Sequence, residues 1–310
     1  MLQIRISRLL RAKQGSLIRH FSIYYLFEEF FLATPHEDMR RKLPGVVDIA
    51  YEQYKRNLLL NRTAQELMSQ DVVTTTPETS LDKAARIMGS KHIGSLIVME
   101  YETPVGIVTE RDLLSKVLAL GLFLSDEKVK EVMSYPLTGV SHTAKIKEVA
   151  QLMIDRKGRL AVFNAGMLVG IITASDLIKS LPDVPETEVR VDDFMTKEVV
   201  TADQEISVLD VARIMGRQRI GSVIITREGA PFGIFTERDL LTSFLATGRG
   251  LFAEVGPVCS SPLIIIPAGT SVHRAAATMA LKHVRRLPIV RDDKLAGIIT
   301  ARDLVEAYAK

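Results

Sequence analysis

Apolar positions follow two alternating periods along most of the chain. Val72 to Thr76 is a β-branched run, Pro77 to Ser80 supply a turn and a cap, and Leu81 to Ile93 set Ala84, Ala85, Met88 and Ile93 near one helical face. Two short apolar runs follow, Ser95 to Met99 and Val105 to Val108, separated by polar turn residues. A second helix opens at Thr109 and runs through Leu113, Leu114, Val117 and Leu118. The predicted order is strand, helix, strand, strand, helix, an α/β unit. Such a unit leaves a sheet face bare and is marginal at its size, so pairs are the expected folding domain.

The pattern returns three times. Gly106 to Asp112 reads GIVTERD, Gly170 to Asp176 GIITASD, Gly233 to Asp239 GIFTERD and Gly297 to Asp303 GIITARD. The steps between the four glycines are 64, 63 and 64 residues, the signature of a repeat architecture. The steps from Gly106 to Gly233 and from Gly170 to Gly297 are both 127, so the chain is a duplicated pair. Ala85 to Leu114 accordingly aligns without a gap on Ala212 to Leu241. The expected organisation is an N-terminal helical extension over 1–62, a first pair over 63–183 and a second over 184–310. Leu181 to Arg190, with two prolines and several acids, reads as an exposed joint between them.

Composition narrows the class. With 310 residues, 47% hydrophobic and 25% charged, the chain has the make-up of a soluble globular protein. Its 40 basic and 37 acidic side chains leave a net charge of +3, too small for a broad nucleic-acid footprint, so nucleic acid is an unlikely partner. The lone Cys259 can form neither an intramolecular disulfide nor a cysteine-based metal site, which points to a reducing cytoplasm. Scarce Asn, Cys and Trp hint at a hot habitat. Phe21 to Ala33 is too short for a membrane span, and its Glu28 and Glu29 also argue against a signal peptide. Its aromatics Phe21, Tyr24, Tyr25, Phe27, Phe30 and Phe31 follow Arg5, Arg8, Arg11, Lys13 and Arg19. It reads as an amphipathic helix covering its own protein or a sister subunit, with a membrane surface or partner as the alternative. A start at Met39 would remove it.

The unit order, the unit length and the Gly, hydrophobic, x, Thr, x, x, Asp phrase resemble the cystathionine β-synthase (CBS) domain family over about residues 63 to 310. Each pair then resembles a Bateman module. The two together resemble the pseudo-symmetric, four-repeat disc of the AMP-activated protein kinase gamma subunit and its archaeal relatives. The resemblance implies an adenosine ligand, AMP, ADP, ATP or S-adenosylmethionine, with the ribose on Asp112, Asp176, Asp239 and Asp303 and phosphate on Thr109, Thr173, Thr236 and Thr300. It also implies self-association through the broad module faces.

The residues suit that chemistry. Gly lets the backbone pass close to a neighbour or ligand, Thr at a helix start can donate its hydroxyl to a phosphate, and the helix N-terminus favours anions. A carboxylate three residues on can accept from both ribose hydroxyls. The same Thr and Asp also make a capping box, worth about 1 kcal/mol with no ligand present. Basic residues rank the repeats. Arg285 and Arg286 precede the second strand of the fourth, and the second keeps Arg159. The first and third carry Ile93-Gly94 and Ile220-Gly221 at the matching places, with His92 and Arg219 one step earlier. Glu110 beside Thr109, and Glu237 beside Thr236, oppose an anion there.

A P-loop, a GxGxxG phrase after a strand and metal-spaced His or Cys are all missing, so neither catalytic nor metal residues are assigned. The reading is a non-catalytic sensor in which ligand alters module packing or a partner's affinity. The alternatives are a scaffold without nucleotide, or nucleic-acid binding through the basic leader.

Overall fold

The computed structural model describes residues 61–156, 158–180 and 189–309. The N-terminal extension and residues 181–188 of the joint lie outside the described residues.

Each repeat builds one three-stranded sheet. The strands are β1 (Thr74–Thr75), β2 (Ser95–Glu100) and β3 (Thr103–Thr109) in the first, and β4 (Gly139–Ser141), β5 (Arg159–Asn164) and β6 (Met167–Thr173) in the second. The third has β7 (Thr201–Asp203), β8 (Ser222–Arg227) and β9 (Ala230–Thr236), and the fourth β10 (Ile266–Pro267), β11 (Arg286–Arg291) and β12 (Lys294–Thr300). The first strand of each sheet runs parallel to the second, and the second antiparallel to the third. A parallel pair needs a crossover. The helices Leu81–Ser90, Ile146–Arg156, Val208–Gln218 and Val272–Lys282 provide the four crossovers.

The strand, helix, strand, strand, helix order therefore holds in every repeat; in the first, the opening strand and the helices are shorter than the periodicity predicts, while β2 and β3 run longer than their apolar runs. β1 pairs over two residues only, and Pro77, one residue beyond Thr76, cannot donate to a ladder. The first crossover helix stops at Ser90 instead of Ile93, since His92 takes a left-handed φ of 53° that no helix continues. Ile93 still packs against the core from the turn. The helix from Thr109 ends at Lys116 and gives way to a 3₁₀ turn, Leu118–Leu120.

Neighbouring repeats complete each other by exchanging their leading segments. Residues 62–69, ahead of the first sheet, bond to the second repeat: Ala64 N–H donates to Ala144 O, Ile146 N–H to Arg62 O, and Ser69 and Ile171 exchange both backbone bonds. Residues 127–137 return the exchange, with Val129 N–H donating to Thr79 O and Ser134 pairing with Ile107. The second half repeats it, through Thr196 with Ile298 and Ser260 with Ile234. The four phrase glycines make room for these segments. A Cβ on Gly106 would stand 2.9 Å from Ser134 O and 3.0 Å from Met133 Sδ, and one on Gly170 2.4 Å from Met68 Sδ. On Gly233 it would stand 2.6 Å from Cys259 Sγ, and on Gly297 2.6 Å from Met195 Sδ. The close approach that the glycines allow is thus to a neighbouring repeat.

Helices join the two pairs crosswise. Leu81–Ser90 packs on the segment after Thr236, and Val208–Gln218 on the segment after Thr109. A Cβ on Gly89 would fall 2.2 Å from Ala246 Cβ, and one on Gly216 2.5 Å from Ala119 Cβ, so the duplicated ARIMG phrase marks a reciprocal contact. In the other half, Ala301–Ala309 lies on Ile146–Arg156, and Val272–Lys282 on Ala174–Ser180. The cores are shared accordingly. Leu241 belongs to the core around Leu81 and Met88, and Leu114 and Leu118 to that around Met215 and Phe235. Residues 60–310 make one compact unit.

We propose 63–183 and 184–310 as the two modules, and this shared core predicts how they part. Limited proteolysis should cut first within the joint Leu181 to Arg190, and the two fragments should co-elute on size exclusion without denaturant. Separate elution as two folded monomers would show that the helical contacts are dispensable.

Candidate functional site

In all four repeats the third strand ends on the phrase threonine and the next helix begins at the following residue. The aspartate then folds back on the threonine. Asp112 Oδ2 accepts from Thr109 N–H at 2.9 Å and from its hydroxyl at 2.6 Å. Asp176 does so from Thr173 at 2.9 and 2.7 Å, Asp239 from Thr236 at 2.8 and 2.7 Å, and Asp303 from Thr300 at 2.8 Å for both. One carboxylate oxygen and one hydroxyl proton per repeat are thus used within the box.

The other oxygen distinguishes the repeats. Asp112 Oδ1 holds Lys116 Nζ at 2.8 Å, and Asp239 Oδ1 accepts from Ser260 Oγ at 3.2 Å. Asp176 and Asp303 show no partner for Oδ1 among the described residues. Burial raises the pKa of Asp303 despite the two bonds from Thr300, as expected for an incompletely compensated carboxylate.

Beside these helix starts lies a cluster of guanidiniums around two buried glutamates. Arg111 Nε donates to Glu237 Oε1 at 2.8 Å, and Arg238 Nε lies 2.7 Å from Glu110 Oε1, so the two TERD phrases exchange ion pairs between the first and third repeats. Arg286 from the fourth repeat reaches Glu237 Oε2 at 3.1 Å, and Arg159 from the second stands 3.8 Å from Glu110 Oε2. Glu110 and Glu237 therefore face arginines, not an incoming anion. Burial opposes the charge of Glu237, but Arg286 and Arg111 outweigh it and hold its pKa below the usual range.

Strand register corrects the matching places. Arg286 faces Thr300 as Ser95 faces Thr109, Arg159 faces Thr173 and Ser222 faces Thr236. Arg285 and Arg286 therefore match Gly94-Ser95 and Gly221-Ser222, one step on from the sequence alignment. Those glycines clear the path of the arginines: a Cβ on Gly94 would meet Arg159 Nη2 at 2.9 Å, and one on Gly221 would meet Arg286 Nη2 at 2.0 Å. Arg285 is accessible to solvent yet crowded by protein, and it makes no ion pair or side-chain hydrogen bond among the described residues. Desolvation, then Arg238, Arg159 and Arg286, push its pKa down to about 10, against a pull from Glu110. It stays charged at neutral pH.

The structure thus brings the three predicted arginines, Arg159, Arg285 and Arg286, into one cluster. It adds two that the sequence reading passed over, Arg111 and Arg238, although their identical placement in the two TERD phrases was a visible signal. Counted against Glu110 and Glu237 alone, the five guanidiniums exceed the carboxylates by three, with Asp112 also acting on Arg111. An anion with several oxygens suits such a place, since charge-assisted bonds to guanidinium are strong and bidentate.

The profile of the CBS domain matches residues 64–119, 129–183, 191–246 and 255–310. The chain belongs to the CBS domain family. Each matched CBS domain opens on the segment that crosses to the neighbouring repeat. Among relatives, this CBS protein is similar to the uncharacterized protein MJ1404 of Methanocaldococcus jannaschii, 29% identical over 272 residues, or 81% of this chain and 63% of that one. The chain thus spans less than two thirds of that relative. MJ1225 of the same organism is 29% identical over 211 residues, 62% of this chain and 74% of that protein. The crystal structure of MJ1225, proposed there as an archaeal homologue of g-AMPK, superposes with a TM-score of 0.67 at 22% identity, covering 80% of this chain and 100% of that one. An uncharacterized conserved protein from Pyrococcus horikoshii superposes at 0.57 with 19% identity over the same shares. The four-repeat fold is common to all three chains.

Removing one buried carboxylate from the cluster should be costly. Glu237→Ala leaves Arg111 and Arg286 facing each other, and denaturant unfolding at neutral pH should show a loss of about 3 kcal/mol. The depressed pKa fixes the sign with pH: the contribution of Glu237 is complete above its unfolded value of 4.5 and fades as pH falls through the lower folded value. Wild type and variant should therefore converge on acidification. A deficit that stayed constant down to strong acid would exclude the ion pairs as its source.

Proposed function

We propose that this CBS protein is a non-catalytic sensor of adenosine nucleotides, AMP, ADP, ATP or S-adenosylmethionine, bound in clefts between repeats. The reading assigns ribose hydroxyls to the phrase carboxylates Asp112, Asp176, Asp239 and Asp303. It assigns phosphates to Thr109, Thr173, Thr236, Thr300 and the arginines Arg159, Arg285 and Arg286. One observation carries it: more guanidiniums than the two buried glutamates match, with Arg285 unpaired among the described residues, beside helix starts that bear carboxylates. A protein using the phrase only to cap helices has no need of that surplus. The same surplus favours phosphorylated ligands over S-adenosylmethionine, which has no phosphate.

Ligand charge then has a route to the assembly, because Arg286 shares Glu237 with Arg111 and Arg159 shares Glu110 with Arg238. Phosphate that draws Arg286 away leaves Glu237 to Arg111 alone, which alters the ion pair that joins the modules, and occupancy is passed to a regulated partner or to self-association. Coupling of this kind is typically about 1–3 kcal/mol. The cytoplasm supplies the nucleotide. The scaffold alternative draws support from the Thr–Asp boxes, which close without ligand.

A thermal-melt panel separates the two. Nucleotide at a hundred times its dissociation constant should add about 2.7 kcal/mol of stability. A flat panel of AMP, ADP, ATP and S-adenosylmethionine at millimolar concentration would leave the scaffold. In calorimetry, Asp303→Ala and Arg286→Ala should each weaken binding about tenfold to a hundredfold, and more than Asp176→Ala does. Unchanged affinity in Asp303→Ala and Arg286→Ala would remove the fourth repeat from the site.

Acid gives an independent check. Burial has raised the pKa of Asp303, and ribose hydroxyl donors favour its ionised form, so binding should pull that pKa back down. Affinity should fall as pH drops from neutrality through the raised value, and the fall should vanish in Asp303→Asn. An identical pH profile in both proteins would place the acid-sensitive group elsewhere.

A further inference from the structure

We infer that the first repeat is closed to nucleotide by its own lysine, so that Lys116 sets how many adenosine ligands the chain takes; this rests on the ribose role proposed for the phrase carboxylates. Asp112 is buried and has both oxygens engaged. Oδ2 takes the Thr109 N–H and hydroxyl, and Oδ1 holds Lys116 Nζ at 2.8 Å. A ribose presents two hydroxyl donors, and at Asp112 the ammonium already occupies the oxygen that at Asp176 and Asp303 has no partner among the described residues. Lys116 is anchored a second time, its ammonium donating to Val132 O on the exchanged segment. The charge is thus held from two elements, the helix Glu110–Lys116 and the leading segment of the second repeat, which crosses to the first. No other repeat has this cation: counted from the phrase glycine, the same position holds Ser180, Ser243 and Ala307. The third repeat is partly blocked by a neutral donor, Ser260 on Asp239. A hydroxyl at 3.2 Å is a weaker obstacle than an ammonium at 2.8 Å.

A neutral ligand edge gains little by displacing an ammonium from a buried carboxylate, since the carboxylate would exchange a full charge for two dipoles. The first repeat therefore serves the cluster through Glu110 and Arg111 while leaving its ribose position filled.

Equilibrium dialysis with labelled AMP, and separately with ATP, tests this on the full chain. Lys116→Met keeps the aliphatic stem and removes the charge, and should bind one more nucleotide per chain than wild type. The double variant Lys116→Met, Asp112→Ala should lose that extra ligand and return to the wild-type count. Lys116→Gln serves if the Met variant folds poorly, and should show the same gain. Equal counts in wild type and both single variants, with wild type binding normally, would overturn the inference and leave the sensor reading intact. An extra ligand that survived Asp112→Ala would overturn it too. Absence of binding in every protein would overturn the sensor reading and this inference together.

Discussion

The structure depends on one steric constraint: a repeat of this size cannot finish its own sheet and core, so its neighbour's leading segment must lie close against its last strand. Only a residue without a side chain leaves that space, and this is the place of Gly106, Gly170, Gly233 and Gly297. The partner of each glycine is a sulfur-bearing residue followed by a hydroxyl residue: Met133-Ser134, Met68-Ser69, Cys259-Ser260 and Met195-Thr196. The exchange makes the pair, and not the single repeat, the smallest complete body. Because the third strand is fixed by the exchange, the threonine at its end and the helix that follows are placed by packing before any ligand is considered.

The crosswise helix contacts then gather four helix starts from different parts of the chain around one group of charges. Two glutamates hold four arginines there, and Arg285 makes no ion pair among the described residues. The arrangement is pseudo-symmetric in a specific way. The first and third repeats supply the glutamates, with Gly94 and Gly221 to clear the way, while the second and fourth supply the arginines that cross those glycines. Guanidiniums that the two glutamates do not match can take an anion, which is the physical reason for reading the centre as a binding place.

Much of this was legible in the chain, because four phrases at a nearly constant step give both the repeat and its duplication. Strand, helix, strand, strand, helix followed from apolar period and turn residues, and the structure carries it in every repeat. The exchange was not legible from those signals, since the Met-Ser and Cys-Ser segments precede their repeats and contact the neighbouring one. Their spacing, close to that of the glycines, was the available trace. The glutamates after Thr109 and Thr236 looked adverse to an anion when taken along the chain. Their partners Arg238 and Arg111 are more than a hundred positions away, so the neutralisation exists only in three dimensions. Helix ends were overestimated for a local reason, as at His92, where a left-handed residue stops a pattern whose apolar period continues.

The central claim is that the shared guanidinium cluster recognises the phosphate part of an adenosine ligand. Calorimetric titration of the full chain with adenosine, AMP, ADP and ATP at low and moderate salt tests it most directly. Affinity should rise with the number of phosphates, adenosine should bind at least tenfold more weakly than ATP, and salt should erode the difference. Equal affinities for adenosine and ATP, indifferent to salt, would contradict it.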